Sequence, residues 1–362
     1  MQERSGRVRE NVFYLNVFFV NDDELLVQSV KMNTFFTFSL GRKIANLNRF
    51  VSSHYSPCPD RVFRRIRRKM ALAQLLYGIP YADFFQCRCE QLELREIAEI
   101  VPYWRQKELW LKVNTPESSR ILFNKYSAYL HFKEDYKRDV IMVRNSESSK
   151  EFSDFCHSHP VFVVKPIDLN CGRGIQIIDI RQEFNAFERL LEMNPKGFIA
   201  EELIKQDESL SKLHPTSINT LRINTVNFGT TVEIKWPCLR IGRGGSIVDN
   251  AGAGGVFGAI DEQTGVIIRV GDEFHHTFEE HPDTGIPLVG LKVPKWKEAC
   301  ILAKRLAEAL PGCRFIGWDF ALTDKGWAMV EGNHSPLLIW QIAAGLGIRN
   351  DFLRMKRRLL RK

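Results

Sequence analysis

The 362-residue sequence predicts an α+β fold built on antiparallel sheets, and three observations carry that expectation. From about Thr115 onward, short β-branched and aromatic runs are punctuated by Gly, Asn and Asp, the texture of strands joined by tight turns rather than by crossover helices. Helical periodicity in that part is sparse and clearest over Lys295 to Leu310. There Ala299, Ala303, Leu306, Ala307 and Leu310 recur at three- and four-residue spacing until Pro311-Gly312 stops them. The first third reads instead as partly helical, with a basic stretch at Arg61 to Lys69 and a run from Met70 through Ile100 broken at Gly78-Ile79-Pro80. The expected organisation is an amino-terminal region over residues 1–114, an α+β domain over 115–346 and a basic amphipathic helix over 347–362.

Composition narrows the class. Hydrophobic residues at 44% and charged residues at 26% are ordinary globular usage, which excludes a largely disordered or fibrous chain. The apolar run Val12 to Val20, also a strand candidate, is too short for a bilayer that needs about 20 residues. Glu3 and Glu10 dilute its basic flank, and Val20-Asn21-Asp22-Asp23 offers no small-residue cleavage site, so a cytoplasmic protein is expected. Eight cysteines (58, 87, 89, 156, 171, 238, 300, 313) lack the paired spacing of a zinc site and read as reduced, mostly buried thiols. The net charge of +8 sits in two segments, Arg61 to Lys69 and Arg349 to Lys362, and the remainder is mildly acidic. Interleaved Val62, Phe63, Ile66, Phe352, Leu353, Met355, Leu359 and Leu360 make both segments amphipathic basic helices. Such helices suit an anionic partner, whether a membrane face, an anionic glycan or nucleic acid, and equally suit a solvated helix face.

Along the domain, Val161 to Pro166 reads as a strand, Asn170-Cys171-Gly172-Arg173-Gly174 as a hairpin tip and Gly174 to Asp179 as the returning strand. A helix over Glu183 to Met193 and a strand over Phe198 to Ile204 follow. Hairpin-like strands come next, around Leu221 to Val226, Val232 to Ile241 and Gly255 to Val270.

The last hairpin, Phe315 to Asn333, is the most informative. With Asp324-Lys325-Gly326 as a three-residue turn, Asp319 falls directly opposite Glu331. Ala321, Thr323, Trp327, Met329 and Asn333 then share their face, and Phe320, Leu322, Ala328 and Val330 take the other. Opposed Cβ atoms lie about 5 Å apart, so two carboxylates and the Asn333 amide oxygen there suit a hard cation such as Mg2+. Two acids beside a surface turn, exposed to solvent, are the plainer alternative.

The loop Gly172-Arg173-Gly174 presents backbone N–H groups that suit a polyphosphate, with Lys165 at the preceding strand end as a point charge. Glu201-Glu202-Leu203-Ile204 has the form of a hinge whose backbone pairs with an adenine edge, with Asp207 or Glu208 near a ribose.

In order and spacing these pieces resemble the ATP-grasp superfamily, most closely the sugar-transfer-associated branch related to α-L-glutamate ligases. The resemblance is carried by Asn124-Lys125-Tyr126, Val163-Val164-Lys165-Pro166, Asn170 to Gly174, Glu201 to Ile204, Asn219 to Arg222, Trp318-Asp319-Phe320 and Glu331-Gly332-Asn333-His334-Ser335-Pro336. It spans about Thr115 to Leu346 and implies two α+β subdomains of antiparallel sheet holding ATP between them. By similarity to D-alanine:D-alanine ligases, Lys125 and Lys165 bind phosphate, Glu201 is the hinge acid, Glu208 binds ribose, and Asp319, Glu331 and Asn333 hold magnesium. Arg222 and Arg240 resemble the arginines of the glutamate-ligase branch, and Asn250 would face the acyl phosphate. Where the D-alanine ligases carry an arginine two residues before the first metal acid, this chain has Gly317.

The resemblance implies an ADP-forming carboxylate–amine ligase working through an acyl phosphate, its substrates an amine and a carboxylate, glycan-linked in envelope polysaccharide synthesis at the inner membrane face. Two rivals remain at this level. One is a phosphotransferase acting on a sugar or through a histidine, with His214-Pro215-Thr216-Ser217 as carrier loop. The other is a nucleic-acid-binding or scaffold protein that only senses ATP. Trp236, Trp318, Trp327 and Trp340 read as core residues, with Trp327 the one best placed to face the site, and His334 as packed.

Overall fold

The computed structural model describes residues 40–55, 59–167, 174–183, 185–247, 249, 254–274 and 276–361. The strand expected at Val12 to Val20 lies outside them. The described residues up to Ala71 fall in one compact unit and those from Leu72 onward in a second. In the first, α1 (Leu40–Tyr55) precedes α2 (Asp60–Tyr77), and Arg67 Nη1 donates to Asn48 Oδ1 at 3.2 Å. The basic stretch lies on α2, burying Ile66 and Met70 while Arg61, Arg64, Arg65 and Arg68 face solvent.

The second unit opens with helices. They are α3 (Tyr81–Gln86), α4 (Leu94–Ile97), α5 (Tyr103–Val113), α6 (Pro116–Phe123), α7 (Lys125–His131) and α8 (Lys133–Tyr136). Short polar residues start two of them: Thr115 Oγ1 accepts from Ser118 N ahead of α6, and Asn124 Oδ1 accepts from Ser127 N at 2.9 Å ahead of α7. Four antiparallel strands follow, β1 (Val140–Val143), β2 (Val161–Pro166), β3 (Gln176–Asp179) and β4 (Phe198–Glu202), in the order β1-β4-β2-β3. Their outer face packs Phe162, Val164, Phe198 and Ala200 against α9 (Ser149–Ser158) and α10 (Ala186–Met193). Alternation leaves Val163, Lys165, Ile199 and Glu201 on the inner face.

After the short helix α11 (Glu208–Ser211) comes a seven-stranded antiparallel sheet. Its strands are β5 (Thr220–Asn227), β6 (Val232–Ile241), β7 (Val256–Ile260), β8 (Ile267–Gly271), β9 (Thr277–Phe278), β10 (Phe315–Thr323) and β11 (Gly326–Asn333), in the order β11-β10-β5-β6-β7-β8-β9. α12 (Trp296–Ala309) buries Ala299, Ala303, Leu306 and Ala307 against one face, in a core with Leu221, Ile223, Leu239, Trp318 and Phe320. On the other face α13 (Ile339–Ala344) lays Ala343 and Ala344 on Phe257 and Ala259. The carboxy-terminal α14 (Arg349–Leu360) buries Phe352, Met355 and Leu359 in a core shared with Leu109 and Trp110 of α5 and with Phe315. Asn114, just past α5, hydrogen-bonds both backbone groups of Phe315 (3.0 Å from its N–H, 2.8 Å to its C=O) and also donates to His334 O at 2.6 Å.

The last hairpin departs from its expected register in one respect. Gly317, Trp318 and Asp319 pair with Asn333, Gly332 and Glu331, so the acids face each other as expected. Between Asp319 and Phe320 a β-bulge at Val330 shifts the pairing by one, and Phe320 faces Met329 while Leu322 faces Trp327. The turn is accordingly two residues, Asp324-Lys325, not three, with Gly326 supplying a φ of +87°. A one-residue shift reverses side-chain faces. Trp327 and Met329 therefore point into the α12 core rather than toward the acids, and Trp327 Nε1 donates to Lys295 O at 3.1 Å.

Trp318 is fully buried, crosses Phe132 edge-on at 5.5 Å and donates to Thr225 Oγ1 at 2.9 Å. Trp318→Ala should lower the unfolding free energy by about 3–5 kcal/mol. The check is a lower denaturant midpoint at unchanged slope.

Candidate active site

Two sheets contribute the side chains. From the large sheet, Asp319 of β10 pairs directly with Arg222 of β5 on one side and Glu331 of β11 on the other. Arg222 forks onto the carboxylate, Nε to Oδ1 and Nη2 to Oδ2 at 2.8 Å, and Arg240 of β6 adds Nη1 to Oδ2 at 3.0 Å. Arg240 Nη2 also reaches Asp249 Oδ1 at 3.1 Å, and Asp249 Oδ2 accepts from Thr220 N at 3.1 Å and from Thr220 Oγ1. Burial would raise the Asp319 pKa, but the two arginines outweigh it and hold the carboxyl below its ordinary value. Burial raises Asp249.

Glu331 has the opposite balance. Glu331 is itself exposed to solvent. Desolvation and the Asp319 charge raise its pKa, against Lys125, Arg222 and Lys165. Asn333 lies on the same face two residues on, and its buried amide nitrogen meets no partner among the described residues. Two carboxylates and an amide at that spacing form an all-oxygen donor set that fits a hard divalent cation.

The small sheet supplies the cationic wall. Lys165 Nζ donates to Glu201 Oε2 at 2.8 Å, diagonally across the β2–β4 pair. Arg138, between α8 and β1, donates Nε and Nη2 to the same oxygen at 3.0 and 2.9 Å. Burial opposes ionisation of Glu201, but Lys165 and Arg138 lower its pKa to about 2. Lys125 is the first residue of α7. Glu202 turns its carboxylate to the backbone N–H of Asp139 at 3.1 Å, and Leu203 and Ile204 form the irregular run after β4. That run is fastened to the large sheet, Asp207 N donating to Leu322 O at 2.8 Å and Gln206 bridging Thr323. Glu208 opens α11 in an exposed position. Gly174 adopts a φ of +71°, while Gly172, Arg173 and Asn250 lie outside the described residues.

Sequence reasoning assigned no role to Arg138 or Asp249. Arg138 acts through Glu201, 63 residues on, and Asp249 joins Arg240, nine residues before it, to Thr220, 29 residues before it. His214, the carrier candidate of the phosphotransferase rival, is 3% exposed, its Nδ1 shares a hydrogen bond with Ser217 Oγ at 2.9 Å, and burial and His281 lower its pKa. Among the described residues Cys87, Cys89, Cys156, Cys238 and Cys313 are buried and Cys300 is half-buried.

Residues 105–357 match the family described as sugar-transfer associated ATP-grasp. The chain belongs to this family. Among solved structures it is similar to D-alanyl-alanine synthetase A of Vibrio cholerae (14% identity, 68% of each chain, TM-score 0.44). It is also similar to the D-alanine-D-alanine ligase of Coxiella burnetii (11% identity, 70% of this chain and 63% of that one, TM-score 0.44). A third likeness is the VanG D-Ala:D-Ser ligase of Enterococcus faecalis (13% identity, 74% and 66%, TM-score 0.45). The chain spans about two thirds of each of these, and likenesses this distant carry no argument about substrate. No curated protein matches significantly.

Within this ATP-grasp chain Gly317 has a physical explanation. A Cβ there would stand 2.7 Å from Pro336 Cβ, 3.1 Å from Asn224 Oδ1 and 3.3 Å from Arg222 Cδ, so no arginine fits. Arg222 and Arg240 are the guanidinium groups that face Asp319 instead. Gly317→Arg should therefore destabilise the fold, read as a lower melting temperature. A second outcome concerns pH. Because the Glu201 pKa falls from an ordinary 4.5 to about 2, its ion pairs stabilise the fold fully above 4.5 and are lost as pH falls through about 2. Chemical denaturation across that window should show a steeper loss of stability in wild type than in Glu201→Gln.

Proposed function

We propose that the protein is an ADP-forming carboxylate–amine ligase that makes an amide through an acyl phosphate. The observation that carries this reading is the opposition of Asp319 and Glu331, with Asn333 beside them, on the sheet face that also bears Arg222 and Arg240. Lys125 and Lys165 act electrostatically on the same acid, Glu331.

In this reading ATP lies between the two sheets, its adenine edge on the backbone of Leu203 and Ile204 and its ribose near Glu208. Asp319, Glu331 and Asn333 would hold magnesium. When bound, magnesium offsets the negative charge of the polyphosphate. Lys125 and Lys165 bind phosphate oxygens as point charges. Arg222 and Arg240 hold the acceptor carboxylate in line with the γ-phosphate and stabilise the charge that spreads over the transferring oxygens. The carboxylate oxygen bonds to phosphorus as the bond to the β-phosphate oxygen breaks, giving acyl phosphate and ADP. The amine then attacks the acyl carbon, Arg240 and Asn250 hold the tetrahedral oxyanion, and phosphate leaves. Asp249 keeps Arg240 aimed at this point through the Nη2 contact.

The family's association with sugar transfer supports a glycan-linked carboxylate or amine as substrate, in envelope polysaccharide assembly. An anionic membrane face would meet the exposed side of α14, where the Arg354 side chain is 71% exposed, while Lys356 and Arg358 pair with Glu108 and Glu233. No helix among the described residues is long and apolar enough to cross a membrane.

A non-hydrolysable ATP analogue at about 100 times its Kd should stabilise the native state by about 2.7 kcal/mol, seen as a rise in melting temperature. The magnesium-dependent part of that rise should vanish in Glu331→Gln, which should fold normally because it removes a crowded charge. Turnover in that variant should be abolished. With the correct carboxylate, hydroxylamine should trap a hydroxamate, and full activity in Glu331→Gln would sink the metal assignment.

A further inference from the structure

Arg138 is the buried cation that the proposed chemistry leaves without a task. Its side chain is 3% exposed. The preceding Lys137 ends α8 with a φ of +51°, a left-handed conformation uncommon for a non-glycine residue. The guanidinium lies 4.7 Å from the centre of the Tyr136 ring and hydrogen-bonds in two directions. Toward the small sheet, Nε and Nη2 hold Glu201 Oε2, the atom that also receives Lys165. Toward the large sheet, Nη1 donates to Met329 O at 2.6 Å and Nη2 approaches Val330 O at 3.5 Å, while Tyr136 O takes Nη1 at 3.1 Å. Met329 and Val330 are the bulge, and the next residue is Glu331.

We infer that Arg138 is a positioning residue that couples the phosphate-binding Lys165 to the metal-binding strand, so that magnesium and nucleotide reinforce one another through one buried clamp. The inference rests on the ligase reading of the same site. Its physical basis is a count of charge and of hydrogen bonds. Lys165 and Arg138 together give Glu201 two cations, so Lys165 can turn to a phosphate without leaving the acid bare. Without Arg138, Glu201 has Lys165 alone, and a buried carboxylate holds its last counter-ion strongly. The bulge carbonyls lose their donor in the same step, and the direction of Glu331 is no longer fixed.

The experiment is a double-mutant cycle on nucleotide binding, read by calorimetry with a non-hydrolysable ATP analogue, with and without magnesium. Arg138→Met should bind the analogue about tenfold more weakly even without metal and lose most of the enhancement that magnesium gives the wild type. Adding Glu201→Gln should release Lys165 and restore metal-free binding, while the magnesium enhancement stays lost. A purely structural arginine would weaken both conditions equally and gain nothing from the second change, and that result overturns the inference. An Arg138→Met protein identical to wild type overturns it as well. Wild type that binds no nucleotide overturns the ligase reading, and the clamp with it. Should Arg138→Met fail to fold, Arg138→Lys carries the same test. It keeps the charge beside Glu201 but cannot fork to the bulge carbonyls, so it should retain metal-free binding and lose only the enhancement.

Discussion

Two carboxylates on adjacent strands, directly opposite each other, repel at about 5 Å between their Cβ atoms. Asp319 and Glu331 are in that position, and the surrounding arrangement follows from the need to tolerate it. Asp319 is given two guanidinium groups and keeps its charge. Glu331 is drawn by the charges of Lys125, Arg222 and Lys165, yet desolvation and the Asp319 charge still raise its pKa. The asymmetry leaves one acid held below its ordinary pKa and the other above it.

The cations are themselves arranged by acids. Asp249 and Thr220 anchor Arg240, and Glu201 anchors Lys165 and Arg138. Buried ion pairs of this kind add little net stability, because desolvation offsets much of the attraction. What they supply here is direction: Glu201 fixes Lys165 and Arg138, and Asp249 with Asp319 fixes Arg240. The apolar layers behind the sheets, with Trp318 and Phe320 on one and Phe162 and Phe198 on the other, carry the stability that this polar face does not.

Much of this was legible in the sequence, and the limits are physical. The pairing of Asp319 with Glu331 could be read because a hairpin is local and its alternation is strict. The bulge could not, since inserting Val330 costs only a local ladder irregularity and leaves no compositional mark, and it sent Trp327 to the wrong face. The strand limits of β6 matched the expected Val232 to Ile241, although Trp236 within it takes a φ of +49° at a second bulge that the run of residues did not announce. Lys165, Arg222 and Arg240 carried recognisable neighbours. Arg138 and Asp249 did not, because their roles exist only once distant strands have met. Gly317 was visible as a departure from the D-alanine ligases, but its cause, the Pro336 ring in the space an arginine would need, required the folded tail.

The two sheets have different histories along the chain. All four strands of the small sheet have left the ribosome by Glu202, together with the helices that cover its outer face, so that half can fold as a unit while synthesis continues. The large sheet cannot, because β5 waits for β10, and Arg222 meets its acid 97 residues later. Lys125, Arg138, Lys165, Arg222 and Arg240 are all translated before Asp319 and Glu331. The nascent chain therefore carries these five cations before the two facing acids, and its final hairpin brings those acids together with the edge strand of the large sheet.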